Sequence, residues 1–162
     1  MPDRIVLNTG PILALIAATS SLEILRELYR EVNVPVPVVN EIMDGKKKFG
    51  QREFQKATFI NRVYLDTGAK YTLWDTLDPG EASVIQAAIA LKINTVAIDE
   101  TSGRRIAKLY GLNLTGSLGI LLRAKERKLI PSLKEAIEKM KTSGIWLSDS
   151  LIARTLEISG EK

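Results

Sequence analysis

Between Leu77 and Gly116 the chain reads helix, strand, helix, strand, and this alternation narrows the fold more than any other stretch. The segment is LDPGEASVIQAAIALKINTVAIDETSGRRIAKLYGLNLTG. Glu81 opens the first helix, Thr95-Val96-Ala97-Ile98 forms a short apolar strand, and Asp99 and Glu100 follow it directly. Strands alternating with helices of this size imply a parallel sheet. In such sheets ligands bind in the crevice beyond the carboxyl ends of the strands. Asp99 and Glu100 are expected at that edge.

The remainder of the chain supplies more of the same layer. Arg4-Ile5-Val6-Leu7 is an apolar run suited to a buried parallel strand. Asn8-Thr9-Gly10-Pro11 then starts a helix through Ala18, and Ser20 or Ser21 caps a second one carrying Leu22, Leu25, Leu28 and Tyr29. Val32-Asn33-Val34 reads as the next strand, stopped by Pro35 and Pro37, which lead into a helix over Val38 to Met43. After the polar loop Asp44-Gly45-Lys46-Lys47-Lys48, the spacing of Phe54, Ala57, Phe59 and Ile60 predicts a helix from Gln51 to Arg62. Val63-Tyr64-Leu65 and Tyr71-Thr72-Leu73 are β-like runs around a Thr67-Gly68 turn. Three helices finish the chain: Ser117 to Arg127, one started by Pro131, and one capped by Ser148. The expected class is α/β, one domain with a central parallel sheet flanked by helices and a helical C-terminal end.

Composition removes whole classes of chemistry. The 162 residues include neither cysteine nor histidine. Thiolate nucleophiles, Ser-His-Asp triads, histidine bases and the usual zinc sites are therefore excluded. The net charge of +4 is compatible with a nucleic-acid partner without demonstrating one. No apolar run approaches the roughly 20 residues that span a bilayer, and the N-terminus lacks the pattern of a signal peptide. A cytoplasmic protein, with no membrane partner, is expected.

Polar residues gather at the predicted carboxyl edge. Asn8 follows the first strand, Glu41 lies on the helix after the second, Glu81 opens the helix before the Thr95 strand, and Asp99 and Glu100 close that strand. Carboxylates converging on one crevice repel each other unless a cation lies between them. Hard oxygen donors suit Mg²⁺ or Mn²⁺. Such an ion activates water and stabilises charge on a phosphodiester, so metal-assisted hydrolysis is the chemistry this composition best allows. Each residue also has a local reading. Asp78-Pro79-Gly80-Glu81 fits a capping box, Asp99 can cap the following helix with Glu100 near its positive end, Asn8 is an ordinary turn former, and the lysine run fits a solvated loop.

Order and spacing resemble the PIN domain, in particular a PIN-like branch related to the VapC-type toxins of prokaryotic toxin–antitoxin pairs. The resemblance is carried by Leu7 to Leu15, Pro37 to Ile42, Asp78 to Ala82, Ile98-Asp99-Glu100 with Gly103-Arg104, Leu114 to Gly119, and Gly144 to Ser148. It spans roughly Arg4 to Glu161 and implies a single PIN-like domain over residues 1–162. It further implies an acidic pocket holding Mg²⁺ or Mn²⁺, endonucleolytic cleavage of single-stranded RNA, a homodimer, and a small antitoxin protein as partner. Carried over residue by residue, Asn8, Glu41, Glu81, Asp99 and Glu100 fall on the metal positions, with Glu41, Glu81, Asp99 and Glu100 catalytic. Ser117 falls where the family has Thr or Ser near the pocket. Lys46, Lys47, Lys48, Arg104, Arg105 and Ser117 are the expected RNA contacts. Asn8 departs from the family, which generally places an Asp there.

That departure supports a second reading, a PIN-like scaffold that binds RNA or a protein without cutting. A third class, phosphatase or phospho-receiver, needs a strand-end Asp as the phosphorylated group; Asn8 cannot serve, and Asp99 could. Dinucleotide binding is not expected, because no glycine-rich turn follows the first strand.

Overall fold

The computed structural model describes residues 3–65 and 77–161. β1 (Arg4–Leu7) passes through Asn8 into α1 (Thr9–Thr19), which is followed by α2 (Glu23–Leu28), β2 (Glu31–Pro35), α3 (Val36–Asp44), α4 (Gln51–Lys56) and β3 (Asn61–Val63). Beyond the gap lie α5 (Pro79–Leu91), β4 (Thr95–Ala97), α6 (Thr101–Leu109), β5 (Asn113–Thr115), α7 (Ser117–Glu126), α8 (Leu133–Thr142) and α9 (Asp149–Ser159). The strands form one sheet in the order β3-β2-β1-β4-β5, and every pairing is parallel.

Strand order explains the placement of the functional residues. From β1 the chain winds outward through β2 to β3, then returns to lay β4 on the other side of β1, with Val6 opposite Val96 and Leu7 opposite Ala97. The direction of winding reverses between β1 and β4, and the crevice of an open α/β sheet lies at such a reversal. Asn8 directly follows β1, and Asp99 follows β4 after Ile98. Central strands covered on both faces must be apolar throughout, and Ile5, Val6, Leu7, Val96, Ala97 and Ile98 are completely buried. The core they share includes Leu15 of α1, Ile85 of α5, Leu121 of α7 and Ile137 of α8.

The α/β class, the parallel sheet and the helical end agree with expectation. Four local boundaries differ. The helix expected to reach Arg62 ends at Lys56, because Asn61, Arg62 and Val63 pair with Asn33, Val34 and Pro35 as an edge strand. Asn61 Nδ2 donates to Asn33 Oδ1 (3.4 Å), and the Arg62 guanidinium lies over the Phe54 ring at 5.7 Å. Ser20 closes α1 with φ of 64°, whereas Ser21 Oγ accepts from the Glu23 amide (3.2 Å) beside α2. Pro35 ends β2 within the sheet and α3 begins at the next residue. Ser132, not Pro131, starts α8, its Oγ accepting from the Glu135 amide at 3.1 Å. Of the β-like run Val63-Tyr64-Leu65 only Val63 enters the sheet, the strand lying earlier at Asn61–Val63, and the expected Thr67-Gly68 turn and Tyr71-Thr72-Leu73 run lie outside the described residues.

Candidate active site

Asn8 stands at the N-cap position of α1 without a side-chain capping bond, and its backbone amide continues the β1–β4 ladder by donating to the Ala97 carbonyl at 3.1 Å. This backbone bond fixes the side chain inside the crevice, where it is 5% exposed. Among the described residues no hydrogen-bond donor reaches Asn8 Oδ1. A buried acceptor without a partner costs about 1–3 kcal/mol, which an oxygen-seeking ligand would relieve.

Two further elements close over it. Thr9 Oγ1 donates to Glu41 Oε2 at 2.8 Å, tying the α3 carboxylate to the first turn of α1. Gly80, in the first turn of α5, faces both. A Cβ there would stand 3.1 Å from Glu41 Oε2, 3.3 Å from Asp78 Oδ1 and 3.4 Å from Asn8 Oδ1. Three oxygens from three elements thus converge on a spot that a side chain at position 80 would crowd.

Asp78 has a structural duty, its Oδ1 accepting from the Glu81 amide at 2.7 Å as the cap of α5. It also joins Glu81 and Glu100, and the three residues offer carboxylate oxygens within 4.8 Å of one another. Glu81 is only 2% exposed and its Oε1 has no partner among the described residues. Burial first, then the carboxyl of Glu100 and the negative charges of Asp78 and Glu100, push its pKa up to about 8. Near neutrality, without a cation, Glu81 keeps a proton.

Asp99 turns the other way. Its Oδ1 accepts from the Ser117 amide at 2.9 Å, and Oδ2 lies 3.9 Å from where a Gly10 Cβ would be, against the start of α1. Burial raises its pKa against the opposing pull of the Ser117 amide and the Arg104 charge. A Cβ on Gly116 would come within 2.6 Å of Asp99 Oδ1 and 3.3 Å of Arg104 Nη1. Ser117 is completely buried beside Asp99, and its hydroxyl adds to the amide in holding the Asp99 carboxyl down.

The expected carboxylates and Asn8 therefore share one crevice, in two groups split by the strand end: Asp99 toward α7, and Glu100 toward Glu81 and Asp78. Asp78 was readable in the sequence only as a cap; its membership in the acidic cluster depends on where the α5 N-terminus meets the β4 end, which no local pattern reports. The expected RNA contacts are placed unevenly. Lys46, Lys47, Lys48 and Arg105 are exposed, and Lys46 and Lys47 line a cleft of about 420 Å³ that also contains Thr9 and Glu41. Arg104 points inward, its Nη1 donating to the carbonyls of Ile98 (2.7 Å) and Thr115 (3.2 Å), so it bolts the ends of β4 and β5 together beside Asp99. Ser117 is too deep for a surface contact.

At the opposite, amino edge of the sheet Arg4, Arg30, Lys92 and Arg123 line a cleft of about 430 Å³. Helices of a parallel sheet end there, and cations suit helix C-termini. Arg4 donates to the Leu91 carbonyl (3.3 Å), Lys92 terminates α5, and Arg123 lies in the last turn of α7. This charge is accounted for by the fold. The model of one protein family, described as PIN domain, matches residues 4–161. No curated protein matches the chain.

Proposed function

Since the chain belongs to the PIN-domain family, we propose that it is a metal-dependent endoribonuclease acting on single-stranded RNA, the toxin half of a toxin–antitoxin pair. One observation carries the nuclease reading: Asp78, Glu81 and Glu100 bring oxygens within 4.8 Å in a crevice that also holds the unpartnered Asn8 Oδ1 and Glu81 Oε1. Buried polar atoms are nearly always satisfied, and an all-oxygen donor set fits Mg²⁺ or Mn²⁺. Asp78, Glu81 and Glu100 would hold the cation, with Asn8 and Glu41 facing it across Gly80. A cation bound there lowers the pKa of a water and offsets charge building on the phosphate.

The chain's own groups do the rest. Glu81, protonated without a cation, would serve as a ligand in its carboxylate form, its proton passing to solvent. Asp99, held through Oδ1 by the Ser117 amide, would take the proton of the attacking water. The water oxygen forms the new bond to phosphorus in line with the ribose oxygen, which leaves as its own bond breaks. Arg104 keeps Asp99 in place through the strand ends. Lys46, Lys47, Lys48 and Arg105 hold the RNA backbone, since phosphate contacts set register.

The toxin role, a small antitoxin as partner, a homodimer, a single-domain organisation and a cytoplasmic setting are supported by the likeness of the motifs to VapC-type sequences. Among the described residues no helix is long and apolar enough to cross a membrane. The scaffold reading draws on one specific feature, the neutral Asn8 amide at a position where PIN nucleases generally place an Asp.

The test is cleavage of a fluorophore–quencher single-stranded RNA with Mn²⁺, Mg²⁺ or EDTA, with Asp99→Asn in parallel. Cleavage that EDTA and Asp99→Asn both abolish is the expected result. Cleavage indifferent to both would be contamination and would remove the support. Silence with either metal would favour the scaffold, and Asn8→Asp then decides: a weakened nuclease regains cleavage and binds Mn²⁺ about tenfold more tightly or better, whereas a scaffold gains no cleavage.

A further inference from the structure

Two clefts flank the acidic crevice, and each contains one of its carboxylates. The first, of about 420 Å³, holds Thr9, Glu41, Lys46, Lys47 and Phe49, and is closed by Ile145. The second, also about 420 Å³, holds Asp99, Arg104, Ser117, Leu147 and Leu151. The connection between α8 and α9 runs between them, with Ile145 in one wall and Leu147 in the other. Trp146, the residue between, is 84% exposed, and Phe49 is 46% exposed directly after the three lysines.

Scattered exposed apolar side chains are ordinary on protein surfaces, but these two are not scattered. Both are aromatic, both sit on loops beside the crevice, and the cleft next to Phe49 carries two cations. The loop bearing Phe49 is braced, because Gly50, at φ 82°, packs so closely that a Cβ would lie 2.7 Å from Leu13 Cδ2 of α1. Aromatic rings beside a cationic groove are the general recipe for holding single strands, bases on the rings and phosphates on the cations.

We infer that Phe49 and Trp146 are base-stacking platforms of a track that leads single-stranded RNA in along Lys46 and Lys47, past the carboxylates, and out over Leu147 and Leu151. The inference rests on the nuclease reading for its substrate, but the stacking is independent of cutting. Every base has a flat face, so the track tolerates sequence. Both rings stand on the side of the cleft that contains Glu41, Lys46 and Lys47, so bases stacked on them leave the intervening phosphates to those lysines at the mouth of the crevice.

The experiment measures binding of a short fluorescein-labelled single-stranded RNA in EDTA, beside cleavage with Mn²⁺. Phe49→Ala and Trp146→Ala are each expected to weaken binding roughly 5- to 150-fold, with the salt dependence unchanged. Phe49→Tyr and Trp146→Phe should retain the affinity, and Trp146→Phe should reduce the tryptophan quenching that RNA causes in the wild type. Wild-type affinity in both alanine variants would overturn the track, and metal-dependent cleavage in the same preparations would leave the nuclease reading standing. Loss of binding in both without any wild-type cleavage would keep the track and favour the scaffold, with Asn8→Asp deciding on the nuclease. A wild type that binds no RNA would overturn the track. Unchanged RNA affinity with altered sedimentation of Trp146→Ala would also overturn it and assign the surface to a contact between copies.

Discussion

Glu81 stores the electrostatic cost of the crevice. A carboxyl with a folded pKa near 8 and an unfolded value of 4.5 binds its proton more tightly when folded. Its contribution to stability is therefore complete below pH 4.5 and is lost progressively as pH rises toward 8. Glu81→Gln removes that loss. In EDTA at pH 8.5 the variant should melt several degrees above the wild type, at roughly 2–4 °C per kcal/mol, while at pH 4 the two should melt together. Mn²⁺ should reverse the order at the higher pH, because only the wild type gains a ligand. Calorimetry of Mn²⁺ binding at pH 7 in buffers of different ionisation enthalpy should also show proton release in the wild type and less in Glu81→Gln. A variant no more stable than wild type at pH 8.5 would mean that Glu81 is not held in its acid form. The sequence showed Glu81 as part of a capping box, and the structure keeps that motif; the perturbed carboxyl arises from burial against α6 and the β4 end, which a local pattern cannot carry.

At the scale of elements, the crevice depends on close approaches between strand ends and helix starts. Gly116 joins β5 to α7 with an extended backbone that any residue could adopt, so its requirement is spatial. A methyl group there would lie 2.6 Å from Asp99 Oδ1, forcing that carboxylate off the Ser117 amide. Gly116→Ala should fold with a modest loss of stability yet lower kcat by at least tenfold, with KM for RNA nearly unchanged; equal kcat would show that Asp99 is not the group at work. A different tie joins the last two helices. Glu161 accepts from Ser132 Oγ at 2.8 Å and from the Leu133 amide at 2.7 Å, so the end of the chain caps α8. Burial raises its pKa, but these donors together outweigh burial and leave it below the usual 4.5. The stabilisation is present above pH 4.5 and is lost as pH falls through the lower folded value. Glu161→Ala should cost about 1 kcal/mol at pH 7 and nothing under acid conditions in a urea titration. Which elements were legible follows from where their signals lie. β1, α5, β4 and α9 announce themselves through contiguous apolar runs or caps, namely Ile5 to Leu7, Asp78, Thr95 to Ile98 and Ser148. α4 misleads because Phe59 and Ile60 extend a helical spacing, while the pairing of Asn61 with Asn33 on β2 is non-local and prevails. Arg104 reads as a surface cation, and only the juxtaposition of two strand-end carbonyls turns it inward.

Across the whole molecule, charge is sorted by sheet edge. The acids of the crevice lie at the carboxyl edge, and the cations of the amino edge face helix C-termini and the Glu31 carboxylate, which accepts from Arg4 Nε at 2.9 Å. The 23 lysines and arginines thus include cations committed to the fold and cations that face solvent and can meet a polyanion. Lys46, Lys47 and Lys48 belong to the second kind, exposed and next to the cleft that contains Glu41. An acidic crevice repels RNA at close range, so approach must be driven by such neighbouring cations. Each phosphate neutralised on a single strand contributes a slope of about −0.7 to log K against log salt. Replacing the three lysines by alanine should flatten that slope by about 2 and lower affinity most at low salt. The double variant Arg30→Ala with Lys92→Ala removes charge from the amino edge and should leave the slope as it was. If the amino-edge variant flattens it and the lysine variant does not, RNA approaches the opposite side of the sheet. The carboxylates would then be addressing some other ligand.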